Sequence, residues 1–307
     1  MPLVRPNELS AKDAPATGVA ALTSLKIEAE RVSASLDALG PLPTIAMEIL
    51  SLADDPATDG KRLADHIARD QIIAGKVLKL ANSAFYSKGA ATKTLQAAGL
   101  RLGTQSIKNL VLSTCTSKKL AKPLANYDYT KVGLWQHSLA TALYGQLLPA
   151  DLGLPRKLGD ELFIAGLLHD IGKLVLDPIL TEPIRGTGSN AVEQEVRQLG
   201  ISHAQIGIEV ASRWRLPDIV ADVIEFHHQP EKTERNEQIV AAVCLLDHLV
   251  NAARYGLPPL PPEECEAVSP PLAALEILSL TEADVAGLQQ RIEDERDEVL
   301  AACELLE

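Results

Sequence analysis

His137, the adjacent pair His169-Asp170, His203, the adjacent pair His227-His228 and Asp247 set seven side chains with metal-ligand chemistry at ordered intervals through the second half of this 307-residue chain. The chain has only seven histidines, and five of them belong to this set. Imidazole nitrogen and carboxylate oxygen together suit iron, manganese, zinc, cobalt or nickel, and one carboxylate between histidine clusters can bridge two such ions. The pattern therefore predicts a buried dinuclear metal centre. Its placement supports this, because His169-Asp170 closes the apolar run Leu162-Phe163-Ile164-Ala165-Gly166-Leu167-Leu168. An unpaired charge at such a position is costly, and a metal resolves the cost. The other two histidines are left out. His66 lies far from the set in sequence, and His248 follows Asp247 about 100° further round the same helix, so it faces elsewhere.

The elements that must position these groups read as helices. The apolar share is 46% and aromatics are only 3%, so Leu, Ala, Ile and Val build the core, which favours helices packed on helices. The predicted fold is all-α: a multi-helix bundle with a smaller N-terminal helical lobe. A first helix runs from Val19 to Leu39, is stopped by Gly40-Pro41-Leu42-Pro43, and is followed by one from Thr44 to Ala53. Short helices are predicted at Arg62 to Arg69, Ile72 to Ala81, Thr94 to Leu102 and Ser106 to Thr114. The segment Asn82-Ser83-Ala84-Phe85-Tyr86 is a candidate for capping or for docking between lobes. Longer helices follow at Tyr129 to Leu148, Leu158 to Leu176, Asn190 to Leu199, Ser202 to Arg213, Pro217 to His227, Glu237 to Tyr255 and Thr281 to Leu306. Ser202-x-x-Gln205 has capping-box form, and Pro230 closes the element that carries the paired histidines. On this reading five helices each supply one or two ligands to a shared interior. The chain divides into a flexible N-terminal tail (1–17), a basic helical lobe (18–128), a metal-binding helical lobe (129–256), and a Pro-rich linker with a C-terminal helix (257–307).

Composition narrows the function classes. Cysteines 115, 244, 265 and 303 form no C-x-x-C pair and read as reduced core thiols. No apolar run reaches the roughly 18 residues of a membrane span, and the N-terminus lacks an apolar signal core, so a cytoplasmic home is expected. A net charge of -12 argues against general nucleic-acid binding, since phosphates reward Lys and Arg. The charge is uneven: residues 60–135 carry 13 Lys and Arg against 3 Asp and no Glu, while the rest carries 16 against 38. That basic stretch is either a face for an anionic small ligand, an acidic signalling partner or a membrane surface, or a solvated surface opposite the chain's own acidic half. A homodimer is compatible with either. No P-loop, dinucleotide fingerprint or nucleophile elbow occurs, and Trp135 and Trp214 are expected to pack the core.

The ligand pattern resembles the HD superfamily of metal-dependent phosphohydrolases over about Tyr129 to Tyr255. It is similar to the HD-GYP branch in having His169-Asp170-Ile171-Gly172-Lys173, then a lone His203, then His227-His228. The resemblance implies that one metal takes His137, His169, Asp170 and Asp247, that a second takes His203, His227 and His228 with Asp170 bridging, and that Lys173 contacts substrate phosphate. Two features depart from the pattern. Gln229-Pro230-Glu231-Lys232-Thr233 stands where a Gly-Tyr-Pro loop would support recognition of cyclic di-GMP, and Gly133 stands where some relatives have a Glu for a third metal.

The first half widens the resemblance. Leu42-Pro43, Leu63-Ala64-Asp65-His66-Ile67 with Asp70, Leu78-Lys79-Leu80-Ala81-Asn82-Ser83-Ala84, Ala98-Gly99-Leu100-Arg101-Leu102-Gly103 and Leu110-Val111-Leu112 resemble the HDOD family of bacterial signalling modules, from about Leu42 to Pro230. Members commonly lack part of the metal set, which is complete here. The resemblance implies a signal-transduction output module with a retained dinuclear site. Two iron or manganese ions are expected there, with zinc or nickel as alternatives. The competing readings are a phosphohydrolase acting on a nucleotide or cyclic nucleotide, with Lys173 and Asp170 catalytic, and a di-iron redox or gas sensor.

Overall fold

The computed structural model describes residues 18–53, 60–83, 85–86, 91–259 and 269–306. The expected tail at 1–17, Ala84, Cys265 and the Pro-rich stretch from 260 onward lie outside the described residues. Among the described residues there are helices and no strands, as the composition predicts.

In the N-terminal half, α1 (Gly18–Leu39) and α2 (Thr44–Ala53) are separated where Gly40 and the two prolines fall, and α3 (Gly60–Ile67) follows. Asp70 caps α4 (Gln71–Ala81) by accepting from the backbone N–H groups of Ile72 and Ile73 at 2.9 and 3.0 Å, and Thr94 caps α5 (Leu95–Leu102). These caps satisfy donors that a helix start otherwise leaves unpaired. Helix α6 (Thr104–Leu120) is longer than the predicted Ser106 to Thr114 and almost wholly buried, because α2, α4 and α5 cover one side and the next two helices the other. Its buried Ser113, Thr114 and Thr116 turn their hydroxyls back onto carbonyls of the preceding turn at 2.8–2.9 Å. Polar side chains thereby satisfy themselves inside an apolar wall.

The second half comprises α7 (Gly133–Leu147), α8 (Gly159–Leu168), α9 (Lys173–Leu176), α10 (Gly188–Leu199), α11 (His203–Trp214), α12 (Asp218–Phe226) and α13 (Glu237–Ala252). The helix predicted over Leu158 to Leu176 is two helices with a turn at 169–172. There the bonding tightens to three-residue spacing, Ile171 N–H to Leu168 C=O and Lys173 N–H to Asp170 C=O, both 3.0 Å. The helix predicted over Thr281 to Leu306 is likewise two, α15 (Glu282–Asp294) and α16 (Arg296–Leu306), preceded by an unpredicted α14 (Leu272–Leu278). Tertiary contact accounts for the break, since Ile292 C=O accepts from the Tyr144 hydroxyl at 2.8 Å just before Glu295. Helix α16 then lies across both α7 and α4, so the acidic C-terminus packs on both halves.

Further joints tie the halves together. Tyr86 Oη donates to Gln146 Oε1 at 2.7 Å, and Gln146 and Asn109 both donate to Asp160 Oδ1 at 2.9 Å. The Asn82 to Tyr86 segment thus does both predicted jobs, because Asn82 also caps α4. On the opposite side α1 meets the ends of α9 and α11. Ser35 Oγ donates to Val175 C=O, Arg213 pairs with Asp37 at 2.7 Å, and Trp214 Nε1 donates to Gly40 C=O at 2.9 Å. Trp135 and Trp214 are core residues, and Cys115, Cys244 and Cys303 are buried and in no disulfide, as expected. Burial, with Asp70 adding to it, pushes the Cys115 thiol up to about 12.

Candidate metal centre

All seven predicted ligands meet at one place. His137 comes from the middle of α7, His169 and Asp170 from the turn that closes α8, His203 from the first residue of α11, His227 and His228 from the end of α12, and Asp247 from α13. Ser202 and Gln205 make the predicted capping box, which fixes the start of α11 and so the place of His203. The donor atoms fall into two groups, His137, His169, Asp170 and Asp247, and Asp170, His203, His227 and His228, each gathered within 4.8 Å. Asp170 belongs to both. Its Oδ2 faces His137 Nε2 at 3.6 Å and His169 Nε2 at 3.5 Å, while its Oδ1 faces His203 Nε2 at 3.1 Å and His227 Nε2 at 3.7 Å. Asp247 Oδ1 lies 3.0 Å from His137 Nε2 and 3.5 Å from His169 Nε2.

The donor set fits metal ions. Nδ1 of His169 faces Gly166 C=O at 2.8 Å, Nδ1 of His203 faces Glu195 at 2.8 and 2.9 Å, and Nδ1 of His227 faces the Val223 and Ile224 carbonyls at 3.1 and 3.0 Å. A neutral ring donating at Nδ1 carries its lone pair on Nε2, so these partners assign the tautomers. The Nε2 atoms point at one another: His137 to His169 at 3.2 Å, His203 to His227 at 3.3 Å and His203 to His228 at 3.1 Å. Asp170 Oδ1 is buried in their midst with no hydrogen-bond donor. Converging lone pairs repel unless a cation stands between them, and two positions sharing a carboxylate are what a dinuclear site requires.

The electrostatics agree. Burial opposes the charge on Asp170, but Lys173 and the surrounding imidazoles outweigh it and hold the carboxyl well below the usual range. Asp247 is held low in the same way by His137 and His169. Burial lowers His137, and burial with the neighbouring imidazoles lowers His228 strongly, which keeps both rings neutral and ready to coordinate. His203 and His169 differ: burial works against their charge, yet Glu195 and Asp170 raise His203 to about 9, and Asp170 and Asp247 raise His169.

Several groups at the site were not predicted. Glu195, on α10, is fully buried and accepts from His203 Nδ1, from the His203 backbone N–H at 2.8 Å and from Tyr127 Oη at 2.8 Å. Tyr129 Oη donates to Asp170 Oδ2 at 3.3 Å, and Asn251 Nδ2 to Asp247 Oδ1 at 2.8 Å. The apolar periodicity of α10 turns Val196 inward, whereas the structure buries Glu195 and leaves Val196 44% exposed. The available signal was Ala191, four residues before Glu195 on the same buried stripe. Lys173, the predicted phosphate contact, is buried with Nζ 2.5 Å from Asp170 Oδ2 and 3.2 Å from Tyr129 Oη. His66 is remote from the site and pairs with Glu48 at 2.5 Å. At Gly133 a Cβ would stand 2.1 Å from Gly256 C=O, so the backbone leaves no room for any side chain, carboxylate included.

An all-helical protein with buried His/Asp clusters that can hold metal is the class that this fold and site define. The HDOD domain family model matches residues 39–230, and the chain belongs to that family. Among solved structures, an HDOD domain protein of unknown function from Geobacter sulfurreducens superposes with a TM-score of 0.71 at 23% identity, covering 94% of this chain and 99% of that one. A candidate signal-transduction protein from Marinobacter aquaeolei gives 0.70 at 21% identity, over 92% of this chain and 66% of that one. At these identities the likeness is one of fold. Among curated proteins, ribonuclease Y of Aquifex aeolicus is 37% identical over 120 residues, 39% of this chain and 17% of its own length. A Treponema pallidum protein is 25% identical over 229 residues, 70% of this chain and 43% of its own. The chain thus spans less than half the length of these curated relatives. None of its helices, among the described residues, is long and apolar enough to cross a membrane.

Proposed function

We propose that this chain is an HDOD signal-transduction output module that retains a dinuclear metal site, and that the site senses or stabilises rather than turning over a nucleotide. Burial carries the reading. His137, His169, His203 and His227 are 0% exposed, Asp170 1%, Lys173 3% and Asp247 4%, and only His228 is partly exposed. With the cluster open only at its His228 edge, water, ions and diatomic molecules are of a size to reach the centre more readily than a nucleotide phosphate. When bound, two ions would supply fixed positive charge at the meeting point of five chain segments and, if they are iron, a change of oxidation state. The protein's own part is to aim the Nε2 lone pairs, to share Asp170 between the two positions and to exclude bulk water. The basic lobe supports a partner role, because Lys61, Arg62 and Arg69 outnumber Asp65 along an open cleft of ≈ 510 Å³, a balance suited to an acidic signalling protein or an anionic ligand.

The phosphohydrolase reading keeps two observations in its favour, the Lys173 ammonium beside the shared carboxylate and the likeness of 120 residues of the chain to ribonuclease Y. In the protein purified without added metal, elemental analysis is expected to find about two equivalents of iron, manganese or zinc, falling to about one in His203→Ala. The loaded protein is expected to leave bis(p-nitrophenyl) phosphate and RNA intact. Lys173→Ala is expected to keep its metal, since Lys173 is no ligand. Hydrolysis by the wild type that disappears in Lys173→Ala with metal content unchanged would replace the proposal with the hydrolase.

A further inference from the structure

We infer that the two metal positions fill in order, the His203–His227–His228 position first, and that buried Glu195 is the positioning residue that sets the order. This rests on the metal reading above and goes beyond it, because that reading leaves the order of filling open.

The difference lies in what stands behind the rings. The hydrogen bond at the far nitrogen of a coordinating imidazole fixes its orientation and its basicity, and a carboxylate does so more strongly than a carbonyl. His203 Nδ1 has a carboxylate, Glu195, with both oxygens within 2.9 Å. His169 and His227 have backbone carbonyls. His137 Nδ1 is buried with no hydrogen-bond partner among the described residues. A graded series thus runs from His203, the best supported donor, to His137, the least.

The charges point the same way. Behind His203, Glu195 is 0% exposed, and its contacts there are His203 itself and the Tyr127 hydroxyl, so its negative charge is passed through the ring toward the bound ion. At the other position Asp247 supplies a carboxylate, but the Lys173 ammonium sits 2.5 Å from Asp170 Oδ2, the oxygen turned to His137 and His169. A fixed cation there offsets a carboxylate and repels an arriving metal ion. Lys173 also acts on Glu195, but through space and without a hydrogen bond, so the offset there is the weaker one. The first position also has three imidazoles to the second's two.

The test is a titration of chelator-stripped full-length protein with Mn²⁺, followed by calorimetry and by the electron paramagnetic resonance of free Mn²⁺. The wild type is expected to bind in two resolved steps. Glu195→Gln keeps the shape but not the charge, and should weaken the tighter step about 10- to 100-fold while leaving the weaker step in place. Tyr127→Phe removes one hydrogen bond to Glu195 and should shift the same step less. His137→Ala should abolish the weaker step alone, and His203→Ala the tighter one. Thermal melts of the stripped proteins identify any variant that has lost its fold, and Tyr127→Phe keeps the test open if Glu195→Gln does not fold. Two indistinguishable steps in the wild type, an unchanged tight step in folded Glu195→Gln and Tyr127→Phe, or loss of the tight step in His137→Ala would overturn the order while leaving the dinuclear site standing. No Mn²⁺ uptake by the wild type would remove the metal reading itself.

Discussion

Asp170→Ala is expected to strip the protein of both metal ions at once. The two oxygens of this carboxylate face different histidine sets, Oδ2 toward His137 and His169 and Oδ1 toward His203 and His227. No other side chain belongs to both groups. Removing a ligand of one position alone should cost that position, so the signature of sharing is a fall from about two equivalents to near none. A stability effect accompanies it, because the substitution leaves the buried Lys173 ammonium without its 2.5 Å partner. Breaking a buried pair on one side costs about 3–5 kcal/mol. The double variant Asp170→Asn with Lys173→Met removes both charges while roughly keeping the volume. It should recover most of that loss in urea denaturation and still bind no metal, which separates ligation from folding. An Asp170→Ala protein that kept one full equivalent would show that the carboxylate is not shared.

The second large effect is expected at Gly172→Ala. Its φ of -64° is open to any residue, so conformational freedom is not the reason for glycine here. Space is. A Cβ at 172 would stand 2.0 Å from His203 C=O, 2.8 Å from the His203 carbonyl carbon and 3.0 Å from Gly207 N–H. All three are backbone atoms, which cannot rotate aside as a side chain would, so α9 and α11 must separate. Adding a methyl to a packed core costs about 1–3 kcal/mol, and a backbone clash of this depth belongs at or above the top of that range. Because His203 opens α11, the same shift draws its Nε2 away from Asp170, so loss of stability and loss of the His203 metal position should appear together. Urea midpoints and metal content measured on one preparation check this. A midpoint within error of wild type would mean that the two helices cross less tightly than the structure shows.

Gly172 also explains a spacing. In His169-Asp170-Ile171-Gly172-Lys173 the first two residues are candidate ligands, the fourth admits the neighbouring helix, and the fifth supplies the ammonium that neutralises the second. The turn that breaks the helix at 169–172 brings all three functions to one corner of the bundle.

How much of this could be read from residues alone depends on whether a feature is local. The all-helical class follows from apolar spacing and from a core with few aromatics. The capping box at Ser202, the stop at Gly40 and the seven ligands follow from residue types and order, which any arrangement of the helices would keep. The break of the last helix at Glu295 does not, because a tyrosine from α7 causes it by claiming the Ile292 carbonyl. Nothing local marks Glu195 for burial, since its own helix offers Val196 as the apolar alternative. Only the rotation of α10 against its neighbours buries the glutamate and exposes the valine. The sequence by itself determined which atoms could bind metal, because donor chemistry belongs to the side chain. Tertiary structure alone decided that Asp170 is shared, that the centre is enclosed, and that one histidine is backed by a carboxylate while another is backed by nothing. Those are relations between segments remote in the chain, and they are set by the distances and rotations at which the helices pack.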